Sequence, residues 1–192
     1  MHSNLQGEEY LGFHVDYSEV RDSPNFESLR AAMNRQIDMV LAVGVADRMR
    51  NFFQRVPIKV LRGKESFAGH YKGKSKAVEL TSGFLSNPRK PALLHELLHA
   101  YHDQRMPGGF RNPEVLMYYE RAKASKKYDP NSHMMANFKE YFASVGTAYL
   151  FGVTELEPFQ REKVKHSQPQ FYQYLSSLFG PNAGQYQGSL ER

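Results

Sequence analysis

The run His95-Glu96-Leu97-Leu98-His99 places two imidazoles four residues apart, with a carboxylate beside the first. On a helix, positions i and i+4 share one face, so both rings can turn a nitrogen toward a single metal ion. Glu96 is offset from that pair and reaches a water on the metal rather than the metal itself. Zinc held in this way acidifies its water, and a neighbouring carboxylate can take the proton as general base. The chemistry that such a pattern serves is metal-assisted hydrolysis.

A catalytic zinc needs a third protein ligand and an open position for water. The chain has no cysteine, so the donors must come from His, Asp and Glu, and disulfides are excluded. His102 lies one turn beyond His99, but about 10 Å along the axis from His95 at a 1.5 Å rise per residue. Three ligands from one straight helix cannot close around a tetrahedral ion, so His102 is expected at the surface or behind the ligands. Glu140, inside Asn137-Phe138-Lys139-Glu140-Tyr141-Phe142-Ala143, is the better candidate, because the flanking aromatics anchor its helix. By spacing alone Glu114 and Glu120 stay open.

The elements that must position these residues can be read from periodicity. Leu29, Met33, Ile37, Val40 and Leu41 form a helical stripe that Gly44 interrupts and Val45, Met49 and Phe52 resume. Pro57–Arg62 and Lys76–Ser82 alternate as half-buried strands, and a further short strand is expected around 10–15. Ser86–Pro91 breaks the chain before a helix over 91–105, which carries the histidines and is backed by Leu93, Leu94, Leu97 and Leu98. Helices are also expected near 113–124, over 133–150 and over 168–179. The reading is an α+β domain over 26–180, with an N-terminal arm over 1–25 and a loose tail over 181–192.

Together, His-Glu-Leu-Leu-His-Ala-Tyr-His-Asp at 95–103, Asn-Phe-Lys-Glu-Tyr-Phe-Ala at 137–143, and Phe151-Gly152 with Leu156-Glu157-Pro158-Phe159 resemble the anthrax toxin lethal-factor-like zinc metallopeptidases, a gluzincin group. The resemblance covers roughly 55–180. It implies a zincin-like fold with a small mixed sheet, an active-site helix and a second ligand-bearing helix. It also implies zinc on His95, His99 and Glu140, with Glu96 as base. Where the family carries a tyrosine seven residues before the glutamate ligand, this chain has His133, whose N–H can serve as the oxyanion donor. Where the family carries an acid after the Tyr-Phe-Ala run, this chain has Ser144, so Asp103, Asn137 and Ser144 are the candidates to support the ligands from behind. In zincins a strand edge above the active-site helix pairs with an extended peptide, and Val78, Glu79 and Leu80 are the candidates here. Tyr71, Tyr101 and Tyr141 are candidates for a pocket wall or for core packing.

The partner expected is a peptide or protein substrate, and the chain is expected to act as a monomer. The formal charge of +5 is spread in short basic groups without a nucleic-acid motif, and no run reaches the length of a membrane span. The first residues carry no leader pattern. Export to the periplasm or medium is the expectation if a leader has been removed, and the cytoplasm otherwise. Two other function classes compete with the peptidase: a zincin-fold binding or regulatory module, and a basic surface-binding protein with an accidental histidine pattern.

Overall fold

The structure, a computed structural model, describes residues 7–63, 69–82 and 90–188. Most of the expected break at Ser86–Pro91, and the first six residues, lie outside them. Among the described residues there are five strands and seven α-helices, and they form an α+β domain.

The mixed sheet runs in the order β1-β2-β3-β5-β4. Strands β1 (Gly7–Tyr10) and β2 (Phe13–Asp16) form an antiparallel hairpin. Its two-residue turn, Leu11-Gly12, has φ of 48° and 83°, the two left-handed positions that a tight hairpin needs. This hairpin belongs to the sheet, since β2 pairs in parallel with β3 (Ile58–Leu61) and Phe13 and Val15 are buried. The expected arm is therefore built into the domain from residue 7. β3 pairs in parallel with β5 (Ala77–Thr81), and β4 (Gly69–Lys72) closes the sheet antiparallel to β5.

Helix α1 (Phe26–Ala42) buries the stripe Leu29, Met33, Ile37 and Val40, and α2 (Asp47–Phe53) follows after Gly44. The helix that carries His95, Glu96 and His99 is α3 (Ala92–Arg105). All four of its leucines are fully buried, as the spacing requires. Its first backbone N–H groups have no intrahelical partner. A residue distant in sequence supplies one: Gln36 of α1 accepts from the Leu93 N–H at 3.2 Å and donates to the Lys90 carbonyl at 2.7 Å.

Helix α4 (Pro113–Ser125) leads through a 3-10 turn at His133–Met135 to α5 (Phe138–Phe151). The expected helix over 133–150 is thus split, and Asn137 between the two pieces starts α5. Helices α3 and α5 pack closely where Gly146 faces Leu98; a Cβ added at Gly146 would stand 3.0 Å from the Leu98 side chain. This close approach brings the helix of His95 and His99 together with the helix of Glu140. Helices α6 (Arg161–Ser167) and α7 (Pro169–Phe179) complete the core. Buried Arg161 donates to the carbonyls of Tyr149 and Leu150 at the end of α5 and to that of Tyr186. The tail is therefore tied to the domain at residue 186.

His102 departs from expectation. It is fully buried against the rings of Phe110 and Phe142, at centroid distances of 5.2 and 4.8 Å. Neither ring nitrogen has a hydrogen-bond partner among the described residues. Burial pushes its pKa from 6.5 down to about 4. The unfolded chain takes up this proton near pH 6.5 and the folded chain only near 4, so folding is penalised as pH falls between those values. A shift of that size corresponds to about 3 kcal/mol at 1.36 kcal/mol per unit. We expect His102→Leu to raise stability, because an unsatisfied buried polar group costs about 1–3 kcal/mol. It should also remove about 2 kcal/mol of the stability lost between pH 7.5 and 5. Urea unfolding of both proteins at the two pH values checks this.

Candidate metal centre

The two histidines leave α3 one turn apart and meet Glu140 from the first turn of α5. His95 Nε2 and His99 Nε2 are 3.2 Å apart. Glu140 Oε2 lies 3.2 Å from the first and 3.4 Å from the second. These three residues form a group able to hold a metal ion. Ligands at roughly 2.0–2.1 Å from a tetrahedral zinc stand about 3.3–3.4 Å from one another. The observed triangle of 3.2, 3.2 and 3.4 Å matches that spacing. A pair of neutral imidazoles and a carboxylate is also the donor chemistry that zinc takes.

Glu140 is prepared for this place by its own helix end. Asn137 caps α5, its Oδ1 accepting from the backbone N–H of Lys139 at 3.0 Å and of Glu140 at 3.1 Å. The carboxylate also sits near the positive end of the helix dipole. Burial raises the pKa of its carboxyl, but hydrogen bonds from His133, His95 and His99 outweigh that and hold it well below the usual range. Asn137 thus supports the ligand through the backbone. We expect Asn137→Ala to cost about 1 kcal/mol of stability. It should also weaken zinc binding by about tenfold, the scale on which outer partners act. Asn137→Asp, which keeps the cap, should restore both, as read by chemical denaturation and competition with a chelating dye.

Glu96 points elsewhere. Its Oε2 accepts a hydrogen bond of 2.7 Å from the Tyr71 backbone N–H on β4. Tyr71 is itself clamped to α3: its hydroxyl donates to Asp103 at 2.7 Å, and Lys76 Nζ stands 2.5 Å from the same carboxylate oxygen. Asp103 therefore faces β4, and no hydrogen bond joins it to His95 or His99. Ser144, one turn beyond Glu140 on α5, lines a cavity next to the site and likewise makes no recorded bond to the histidines. His133 Nε2 lies 2.8 Å from Glu140 Oε2, and this hydrogen bond raises the imidazole pKa. Its side chain is 54% exposed, open to an incoming group.

The expected strand edge at Val78, Glu79 and Leu80 is displaced. β5 is an inner strand, paired with β3 on one side and β4 on the other, and all three residues are buried. Its main chain is already in use. The outer strand beside α3 is β4, whose Gly-His-Tyr-Lys composition gives no alternating signal. Tyr101 and Tyr141 are core residues, while half-buried Tyr71 sits beside the site. Among the described residues no helix is long and apolar enough to cross a membrane.

No family model matches the chain, and no curated protein does. One solved structure with a similar fold is that of the PRO-PRO endopeptidase (PPEP-2) from Paenibacillus alvei, with a TM-score of 0.55 at 18% sequence identity. The alignment covers 86% of this chain and 97% of that one. At this identity the likeness is one of fold, an α+β domain with a small mixed sheet of the kind the sequence predicts.

Proposed function

We propose that this chain is a zinc-dependent peptidase that hydrolyses peptide bonds, with His95, His99 and Glu140 as the metal ligands and Glu96 as the general base. The observation that carries the reading is the triangle of two imidazole nitrogens and one carboxylate oxygen at tetrahedral zinc spacing, with a second carboxylate beside it but outside it. A fold similar to that of an endopeptidase supports it. The motifs at 95–103 and 137–143 favour the finer assignment to the lethal-factor-like group.

Bound zinc would supply a water acidic enough to lose its proton near neutral pH and would polarise the scissile carbonyl. Glu96, fixed by the Tyr71 N–H, takes the water's proton on its carboxylate and returns it to the leaving amine. His133 is exposed at the site, and once bound zinc occupies the Glu140 oxygen that its Nε2 now faces, that N–H would be free to donate to the oxygen that gains charge. An extended peptide pairs along the outer edge of β4, the strand that also holds Glu96.

The test is cleavage of a diverse peptide pool by the full chain, read by mass spectrometry before and after metal removal. Cleavage that a chelator abolishes and one equivalent of zinc restores is the expected result. Zinc binding without any cleavage would favour the binding module, and no zinc binding would remove the metal site.

A further inference from the structure

One row of residues across the sheet alternates in charge. Asp16 on β2 stands directly opposite Lys59 on β3, Lys59 opposite Glu79 on β5, and Glu79 opposite His70 on β4. The adjacent row is Val15, Ile58, Val78 and Tyr71, in the same register. Its three aliphatic side chains are buried in the core, and its tyrosine hydroxyl reaches Asp103 on α3. Successive side chains of a strand point to opposite faces, so the charged row stands on the face of the sheet away from α3.

Glu79 is the centre of this row. It is only 8% exposed, and a buried carboxylate is costly without cations beside it. β4 supplies two basic side chains: Lys72 Nζ lies 2.6 Å from Glu79 Oε2, and His70 Nε2 lies 3.6 Å from the same atom. Lys59 faces Glu79 from the other side. Opposite charges directly across a strand pair attract, and like charges repel. Each step of the row follows that rule, and the row reaches β4 on a basic residue. Among the described residues no strand lies beyond β4.

His70 and Lys72 flank Tyr71, whose backbone N–H is donated to Glu96. A peptide lying along β4 places alternate side chains on the charged face, opposite or diagonal to His70 and Lys72. An acidic side chain there meets two basic groups; the Lys72 ammonium has three donors and can serve Glu79 and a second carboxylate together. A Lys or Arg in the same place meets like charge.

We infer that the substrate carries an acidic residue, Asp or Glu, close to the bond that is cut, and that this residue extends the alternating row onto the incoming strand by facing His70 and Lys72. The inference rests on the peptidase reading for the identity of that strand.

The experiment uses the zinc-loaded full chain and tetra-alanine hydroxamates, in which Glu, Gln or Lys replaces each alanine in turn. The metal-binding group is placed at the C-terminus, or on a succinyl group at the N-terminus, so that the peptide runs to either side of the metal. Titration calorimetry at low salt should show, for at least one position, the Glu compound binding about fivefold or more tightly than the Lys compound, with Gln between them. Raising the salt to about 0.5 M should shrink that preference. Lys72→Gln, which keeps the length of the side chain without its charge, should reduce the preference to below about twofold, and Lys72→Glu should turn it toward Lys. The absence of a Glu preference at every position in the wild type would overturn the inference, as would a preference undiminished in Lys72→Gln. A Glu preference without cleavage of any peptide leaves the acidic subsite standing and removes the peptidase reading. Cleavage without a charge preference does the reverse.

Discussion

Replacing Glu96 by Gln should abolish peptide cleavage while leaving zinc bound. The substitution preserves shape, and the amide oxygen can still accept the 2.7 Å hydrogen bond from the Tyr71 N–H. What it removes is the proton acceptor. Glu96 is outside the three-residue ligand group, so the metal keeps all its protein donors. General acid–base catalysis contributes about 10²–10⁴ in rate, equivalent to roughly 3–5 kcal/mol of barrier. We therefore expect kcat to fall by that factor with zinc content unchanged, measured by steady-state kinetics and by atomic emission on the same samples. A loss of zinc in Glu96→Gln would place the residue among the ligands instead.

Glu140→Ala should remove the metal. His95 and His99 would remain on α3, but two donors from one helix face leave the ion without its anchor on the opposite helix. Zinc affinity should fall by more than the roughly 10–100-fold that loss of an outer partner costs. Activity should disappear with it. The effect is on binding, so excess zinc should recover part of the rate, which no excess can do for Glu96→Gln. Acidification should act in the same direction, because protons compete with zinc for its ligands and zinc binding weakens as pH falls. Zinc titrations of the wild type and variant, at pH 7.5 and at pH 5.5, check both statements.

The contrast between these variants also shows what was legible in the sequence. The pattern at 95–99 offers two candidate ligands and a candidate base by type and spacing alone, and the leucines around it specify which side of α3 is buried. Glu140 was a different matter. Spacing left Glu114 and Glu120 beside it, and only the likeness of the surrounding motif singled it out; its position depends on the approach of α3 and α5 at Leu98 and Gly146, which no local pattern encodes. The roles of Asp103 and the sheet edge were hidden for a related reason. Both depend on β4, whose four residues lack the apolar alternation that marks a strand, so the alternating run at 76–82 presents itself as the edge although β5 lies inside the sheet. The seven-residue α6 carries Val164 as its one buried apolar residue, too little for a helical stripe to stand out. The burial of His102 follows from Phe110 and Phe142 closing over it, a tertiary event that outweighs the polar character of the residue.

The Tyr71 clamp joins these observations to function. The same strand that supplies the outer edge of the sheet supplies the N–H that fixes Glu96, and its tyrosine hydroxyl is held by Asp103 two turns further along α3. The strand on which we place the peptide and the base that would deprotonate the attacking water are thereby fixed relative to one another. Catalysis by positioned groups depends on such fixing, since small displacements of a reacting group carry large rate penalties.

Anomalous diffraction at the zinc edge, from crystals of the full chain grown with one equivalent of zinc, tests the metal centre most directly. The expected result is a single strong peak roughly 2.0–2.2 Å from His95 Nε2, His99 Nε2 and a Glu140 carboxylate oxygen, with Glu96 outside bonding distance. A peak held by other residues, or none near the three, would contradict it.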